Sequence, residues 1–229
     1  PTHYFSFTLA DLGYAGQAFV YVVDFARLEY HEETLTIPLA RDLSLPRSSS
    51  MGMSAYENRK QRLRFQVEDT CRLLSVTWPG FWGKGLAASV RLRMQEQQES
   101  MVIVIPIGKR RFYYNRKVNC LPANGWIDLG DKRYTLDPQD CLGNLDWGRG
   151  VWDYRSFWVW ASASGYLPGG RKAGLNLGFG FGDTSAATEN AFILDGKIHK
   201  IGQVDFSYCS EDYTKPWKMS SLDGRLRLE

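Results

Sequence analysis

Hydrophobic and polar residues alternate along most of this 229-residue chain. In segment 86–94 every second residue is apolar, and segments 3–9 and 62–68 repeat the pattern. A period of two is typical of a β-strand with one buried face and one solvated face. Segment 101–107 is apolar almost throughout, which predicts a strand that is covered on both faces.

Short turn signals separate these runs. Aspartate and glycine are adjacent at 195–196, 130–131 and 223–224, and the first pair lies between two short apolar runs, as in a two-residue hairpin. Few segments have the period of a helix. The chain is therefore predicted to be all-β, an antiparallel sandwich or barrel built from many short strands.

The length suits one β-rich domain over 1–229 or two tightly packed β halves, divided near Pro138. Segment 43–60 is polar and rich in serine, which predicts a mobile loop with a short helical turn near 54–60. The chain begins at Pro1 without a methionine, and we expect it to be a fragment of a longer protein.

Composition favours a pocket over a charged interface. Aromatic residues make up 14% of the chain, and they favour strands and line apolar cavities. The net charge is +3, with both signs interspersed. One basic and aromatic run, 109–117, resembles a strand that stacks bases. It is interpreted as the solvated end of a hairpin, so no nucleic-acid partner is predicted.

The four cysteines are scattered, without a Cys-x-x-Cys pair, so no metal site or cofactor is predicted. No signal peptide is recognised, and we expect reduced thiols and a cytoplasmic location. No apolar run reaches the roughly 20 residues of a transmembrane segment. The oligomeric state is left open.

Two segments carry the densest pattern of aromatic, charged and glycine residues. Segment 144–165 contains four tryptophans among aspartates and arginines, and segment 173–190 places glycines at alternate positions. Trp158 and Trp160 are expected on one face of a central strand. A strand face of glycines allows close approach of an aromatic ring, another backbone or a ligand.

These segments resemble a known family. Asp-Trp-Gly-Arg-Gly at 146–150, Trp-Val-Trp at 158–160 and Gly-Phe-Gly-Asp-Thr-Ser-Ala-Ala-Thr-Glu-Asn at 180–190 are similar to an uncharacterised bacterial family, domain of unknown function 2804. The family is distantly similar to lipocalin-like proteins that include carotenoid hydratases. The resemblance implies a lipocalin-like, calycin-type β domain around an apolar pocket. It implies no particular activity, because fold does not fix chemistry.

Three carboxylates are candidate proton donors: Asp146, Asp183 and Glu189. A carboxyl group among tryptophan rings in a dry site can hold its proton at neutral pH. The structural alternative is that Asp146 pairs with Arg149 and that Asp183 caps a turn onto Thr184 or Ser185. The candidate ligand-binding residues are Trp147, Arg149, Trp152, Tyr154, Trp158, Trp160, Asn176, Thr184 and Asn190.

Three functional hypotheses follow. The first is a module that binds a hydrophobic small molecule, such as a lipid or an isoprenoid, in a β calyx. The second is a hydratase, cyclase or isomerase that uses a buried carboxylic acid as its proton donor. The third is a structural or interaction domain. A carboxylate in an apolar cavity without a basic partner favours the enzyme, whereas paired or solvated carboxylates favour the binding module.

Overall fold

The chain is all-β and its strand pairs are antiparallel, as its alternating pattern predicts. A computed structural model describes residues 2–229, and within that range there is a 3-10 turn at Phe81–Gly83 but no α-helix. The strands are β1 (His3–Asp11), β2 (Ala15–Asp24), β3 (Glu29–Pro38), β4 (Leu43–Ser44), β5 (Gly52–Glu57), β6 (Arg62–Val67), β7 (Cys71–Trp78), β8 (Leu86–Arg93), β9 (Met101–Ile107), β10 (Arg111–Leu129), β11 (Lys132–Leu136), β12 (Leu142–Val151), β13 (Val159–Tyr166), β14 (Lys172–Phe179), β15 (Ala191–Leu194), β16 (Lys197–Lys200), β17 (Val204–Ser207), β18 (Lys218–Ser221) and β19 (Arg227–Leu228).

The chain divides into two compact units. The first contains residues up to Met94 together with Pro122–Cys141, and the second contains Gln95–Leu121 and Leu142–Glu229. One boundary between the units lies after Cys141, and the division of the chain near position 138 stays a prediction. The assignment of 95–121 to the second unit was not anticipated from sequence. No helix within residues 2–229 has the length and apolar character needed to cross a membrane.

The first unit contains two antiparallel sheets. One has the order β1-β2-β3, and the other runs β11-β10-β8-β7-β6-β5-β4, where β10 contributes its C-terminal half. Leu63, Val76 and Ala88 lie opposite one another on three adjacent strands and are almost completely buried. The period of two predicted for β6 and β8 is therefore confirmed, with the apolar residues in the core.

The second unit contains the remaining strands. The N-terminal half of β10 pairs with β9, and β10 also pairs with β12. A four-stranded sheet has the order β13-β14-β15-β16, and a three-stranded sheet has the order β17-β18-β19. Leu177, Ile201 and Val204 form part of the core. Strand β13, expected to be central, lies at one end of its sheet.

The hairpin predicted at 195–196 is confirmed. Asp195 and Gly196 join β15 to β16 and have φ angles of 48° and 82°. Two consecutive positive φ angles are typical of a type I′ turn, whose twist matches that of the flanking strands.

Segment 43–60 differs from the prediction of a loop with a helical turn. It contains β4 and β5, and β5 covers most of the range expected to be helical. Tyr56 lies opposite Leu63 on β6, and both side chains are buried. The cross-strand contact, which is not visible in the local sequence, favours the strand over the turn.

Strand β9 was predicted to be covered on both faces and is covered on one. Its odd-numbered residues are buried, whereas Val102 and Val104 are 52% and 55% exposed. β-branched residues are favoured in strands even on a solvated face, so the apolar run alone did not reveal the alternation.

Candidate functional site

An aromatic pocket lies within the second unit. Its volume is about 190 Å³, and the residues that line it are Tyr113, Lys117, Asp146, Trp152, Trp158, Trp160, Phe181 and Glu189. They come from β10, β12, β13 and the segments that follow β12 and β14. We refer to these eight residues as the aromatic pocket.

Aromatic rings surround Phe181, whose side chain is buried. The ring centroids of Tyr113, Trp158 and Trp152 lie 4.5, 5.5 and 6.3 Å from that of Phe181, and all three pairs are edge-on. Edge-to-face packing of this kind is favourable for aromatic rings. Trp158 and Trp152 remain 57% and 37% exposed, so part of their surface is open to a ligand.

Lys117 is the basic group of the pocket, although its residue is only 4% exposed. Its Nζ lies 2.6 Å from Asp146 Oδ2 and 3.3 Å from Glu189 Oε2. It also lies 4.8 Å from the centre of the Trp160 ring, which is a cation–π contact. An ammonium group can be buried when it is paired in this way.

A hydrogen-bond chain connects Asp146 with Tyr113. The Asn115 side-chain amide donates to Asp146 Oδ1 at 2.8 Å and also to the Tyr113 hydroxyl. Burial raises the pKa of Tyr113 above its usual value, and the nearby charges of Asp146 and Glu189 raise it further. The phenol therefore keeps its proton at neutral pH and can donate a hydrogen bond.

Glu189 lies against the glycine face of β14. Its residue is 7% exposed, and its carboxylate is so close to Gly178 that a Cβ at 178 would lie 2.8 Å from Glu189 Cδ. The contact between Oε2 and Lys117 lacks hydrogen-bond geometry, and Oε2 accepts no hydrogen bond from the described residues. The glycine is needed here because the carboxylate occupies the space of its side chain.

Two buried asparagines hold the site in place from behind the pocket. Asn176 accepts a 2.8 Å hydrogen bond from Trp160 Nε1 and donates one of the same length to the carbonyl of Glu189. Asn190 accepts from the Gly178 amide and donates to the Gly202 carbonyl. Both amides therefore position pocket residues rather than face a ligand.

The comparisons with known proteins give a family for this chain. A family model described as domain of unknown function (DUF2804) matches residues 1–229. The chain belongs to this family. The resemblance seen in segments 146–150 and 180–190 is thus confirmed.

A solved structure, kievitone hydratase from Nectria haematococca, is distantly similar to the chain. The sequences are 11% identical, the TM-score is 0.48, and the match covers 96% of this chain and 68% of the other. No curated protein matches the chain.

The structure brings together part of the predicted site. Of the candidate residues, Asp146, Glu189, Trp152, Trp158 and Trp160 line the pocket, and Asn176 and Asn190 lie directly behind it. The others lie elsewhere: Trp147 packs edge-on against Tyr114, Arg149 and Tyr154 are exposed, and Thr184 is half-buried.

Asp183 lies on the surface. Its Oδ1 accepts a 3.0 Å hydrogen bond from the Ser185 amide, which is the turn cap considered as an alternative from sequence. Hydrogen bonds from Ser185 hold the pKa of Asp183 below its usual value of 3.8. For Asp146, the structural alternative considered from sequence was a pairing with Arg149. In the structure its carboxylate pairs with Lys117.

Sequence reasoning missed four residues of the site: Tyr113, Asn115, Lys117 and Phe181. The first three alternate along β10 and share one face, which is the signal that could have found them. Instead, Lys117 was interpreted as part of a solvated basic run. No group of three or more His, Cys, Asp or Glu side chains that could hold a metal ion occurs among residues 2–229.

Proposed function

We propose that the chain binds a small hydrophobic or amphipathic molecule, of lipid or isoprenoid type, in the aromatic pocket. The observation that supports this most strongly is the composition of the pocket. Five of its eight lining residues are aromatic, and its three charged groups are clustered around Lys117. Ligand pockets are typically apolar walls with a few polar groups that fix orientation.

The size of the pocket limits what it can enclose. A cavity of about 150 Å³ holds benzene, and the aromatic pocket has about 190 Å³. One ring or one branched end of an isoprenoid would fit, and the remainder of a longer ligand would extend past Trp152 and Trp158. Their exposed ring surfaces, 37% and 57%, would then cover it.

The lipocalin-like, calyx-type architecture implied by the family resemblance is part of this proposal. In it, strands β10, β12, β13 and β14 of the second unit form the wall of the binding site. The supporting feature is that pocket residues, or the residues directly behind them, come from each of these strands.

The alternative is a hydratase, cyclase or isomerase with a buried acid. Such an enzyme needs a carboxylic acid in the pocket without a basic partner. Both pocket carboxylates have Lys117 as a partner, and Asp183 faces solvent. By the criterion derived from sequence, this arrangement favours a binding module over a proton donor.

Native mass spectrometry of the protein purified from cells tests the proposal. We expect a bound lipophilic molecule, at reduced occupancy in Trp158→Ala. Tyr154→Ala is the matched control, because Tyr154 is 97% exposed and does not line the pocket.

Two outcomes would contradict the proposal. One is the absence of a co-purified molecule together with no change of tryptophan fluorescence on titration with small aromatic hydrocarbons. The other is ligand retention by Trp158→Ala equal to that of the wild-type protein.

A further inference from the structure

A second concave surface lies in the first unit, on the solvated face of its larger sheet. It is a groove of about 490 Å³ lined by strands β5, β6, β7, β8 and β10. Its lining residues include three arginines, Arg62, Arg64 and Arg91, and no acidic residue. Because the chain as a whole has 28 basic and 25 acidic residues, this groove concentrates positive charge.

The strand register places the polar side chains of the groove on one face of the sheet. Arg64 on β6 lies opposite Ser75 on β7, and Ser75 lies opposite Ser89 on β8. Arg91 follows Ser89 by two residues and therefore points to the same side. Two strand spacings and one two-residue step put the Cα atoms of Arg64 and Arg91 about 12 Å apart. Two arginine side chains that approach from opposite sides span this distance, above the short serine side chains.

The donors in the middle of this groove are accessible and have few protein partners. Arg91, Ser75 and Ser89 are exposed. Arg91 forms no ion pair with any of residues 2–229, and its guanidinium contacts the Cys71 sulfur at 3.3 Å. Neither serine hydroxyl forms a hydrogen bond with another described residue. These groups are therefore free to donate to a ligand.

Glu57 shows that the other two arginines can hold one anionic group. Arg62 and Arg64 both pair with its carboxylate, and Arg64 Nη2 lies 2.7 Å from Glu57 Oε2. The Glu57 side chain does not line the groove. Three arginines and one glutamate leave a net charge of +2 at this surface. A phosphate monoester carries a charge of about −2 at neutral pH, which is complementary.

We propose that this groove binds a small phosphate monoester, with its phosphate group between Arg64 and Arg91 and above the two serine hydroxyls. Guanidinium groups bind phosphate oxygens through paired hydrogen bonds, and serine hydroxyls can donate to another oxygen. A phosphate monoester offers three terminal oxygens to these donors, whereas a carboxylate offers two. The groove belongs to the first unit and the aromatic pocket to the second, so the proposal is independent of the proposed function.

Ribose 5-phosphate, ribose and ribonate test the proposal on the wild-type protein. The first two probes differ by the phosphate group, and ribonate carries a carboxylate instead. Isothermal titration calorimetry at constant ionic strength measures the affinities. Hydrogen bonds to charged groups give about tenfold or more in affinity, so we expect ribose 5-phosphate to bind at least about tenfold more tightly than ribose. It should also bind at least about threefold more tightly than ribonate, because the phosphate uses more of the donors.

Variants locate the site. Arg91→Gln is expected to weaken the binding of ribose 5-phosphate by about tenfold, since it removes a guanidinium without breaking an ion pair. Glu57→Gln is expected to strengthen it by at least about twofold, because Arg62 and Arg64 lose a competing carboxylate. Arg41→Gln is the matched control, an exposed arginine of the same unit outside the groove, with a change below about twofold.

Four results would overturn the proposal. The first is no binding of ribose 5-phosphate at millimolar concentration, and the second is an affinity of Arg91→Gln equal to that of the wild-type protein. The third is equal affinity for ribonate, which would show a site for anions in general. The fourth is binding of a single-stranded oligonucleotide without binding of ribose 5-phosphate, which would assign the groove to nucleic acid. If Glu57→Gln does not fold, the wild-type probes and Arg91→Gln still decide the result.

Discussion

Gly178 is the residue whose missing side chain the site requires. The Glu189 carboxylate occupies the space of a Cβ at this position. We expect Gly178→Ala to lower the free energy of unfolding by about 1–3 kcal/mol, as overpacking in a core does. The measurement is chemical denaturation, and ligand binding is expected to weaken in the same variant because Glu189 must move.

Gly165 on the neighbouring strand β13 is the matched control. A Cβ there would have no atom within 4 Å. Gly165→Ala should leave stability unchanged or raise it by up to about 1 kcal/mol, because alanine restricts the unfolded chain. Equal effects of the two substitutions would argue against the contact between Gly178 and Glu189.

Trp158 and Trp160 share the pocket but differ in burial and bonding. Trp158 is 57% exposed, whereas Trp160 donates to the buried Asn176 and packs against Lys117. We expect Trp160→Ala to cost about 3 kcal/mol or more in stability and Trp158→Ala less than about 1 kcal/mol. Thermal and urea unfolding measure both.

The comparison separates a pocket wall from a core residue. If Trp158→Ala unfolds as readily as Trp160→Ala, the ring supports the fold and the pocket assignment is weakened. From sequence the two tryptophans were equivalent, since they lie two residues apart. Trp158 lies just before the first residue of β13, whereas Trp160 lies within the strand. The two side chains therefore differ in burial.

At the scale of elements, β10 positions the charged part of the site. Its N-terminal half pairs with β9 and presents Tyr113, Asn115 and Lys117 on one face, and its C-terminal half pairs with β8 and β11 in the first unit. A strand with polar residues at alternate positions is indistinguishable in sequence from one whose polar face is solvated. For this reason Lys117 was assigned to the surface.

Lys117→Met tests the arrangement of charges between β10 and β12. The substitution leaves Glu189 buried without its basic partner and removes one partner of Asp146. Removing one member of a buried pair costs about 3–5 kcal/mol. We expect a loss of stability near 3 kcal/mol, because Asp146 is partly solvated and retains Asn115.

Lys109→Met is the control for this substitution, since Lys109 is exposed in the turn between β9 and β10. Its effect should lie within about 0.5 kcal/mol of zero. In the variant Lys117→Met/Glu189→Gln part of the lost stability should return, because the unpaired charge is gone. A failure to recover any stability would show that the cost arises from packing rather than charge.

At the scale of the whole molecule, stability should depend on acidic pH. Hydrogen bonds from Arg133 and from the Ile198 amide hold the pKa of Asp128 and of Glu99 below their usual values of 3.8 and 4.5. The pKa is lowered in the same direction for Glu57, Asp183, Asp195, Asp212 and Asp223. Each of these carboxyl groups is exposed or half-buried, so each contribution is small.

The sign of the pH effect follows from proton binding. These groups bind protons less readily in the folded chain than in the unfolded chain, so their stabilisation is complete above the usual values of 3.8 and 4.5. It is lost as the pH falls through the lowered pKa values. We expect the urea midpoint to fall between pH 6 and pH 3, and an unchanged midpoint would contradict the lowered pKa values of these carboxyl groups.

The sequence by itself determined the all-β class and several of the elements of this protein. The alternation of apolar and polar residues predicted strands β6 and β8, and the Asp195-Gly196 pair predicted the hairpin between β15 and β16. Segments 146–150 and 180–190 indicated the family. These features are local, because a period of two or a positive φ angle is encoded within a few residues.

The tertiary structure alone decided which polar side chains are buried and which residues they pair with. Lys117 lies 29 residues from Asp146 in the chain, and Tyr56 is buried at a sheet position opposite Leu63 on the next strand. The environment of a side chain depends on strands that are distant in sequence, and a buried charge becomes favourable only when its partners arrive. Asp146 and Glu189 could therefore be named as candidates from sequence, but their common partner Lys117 on β10 could not.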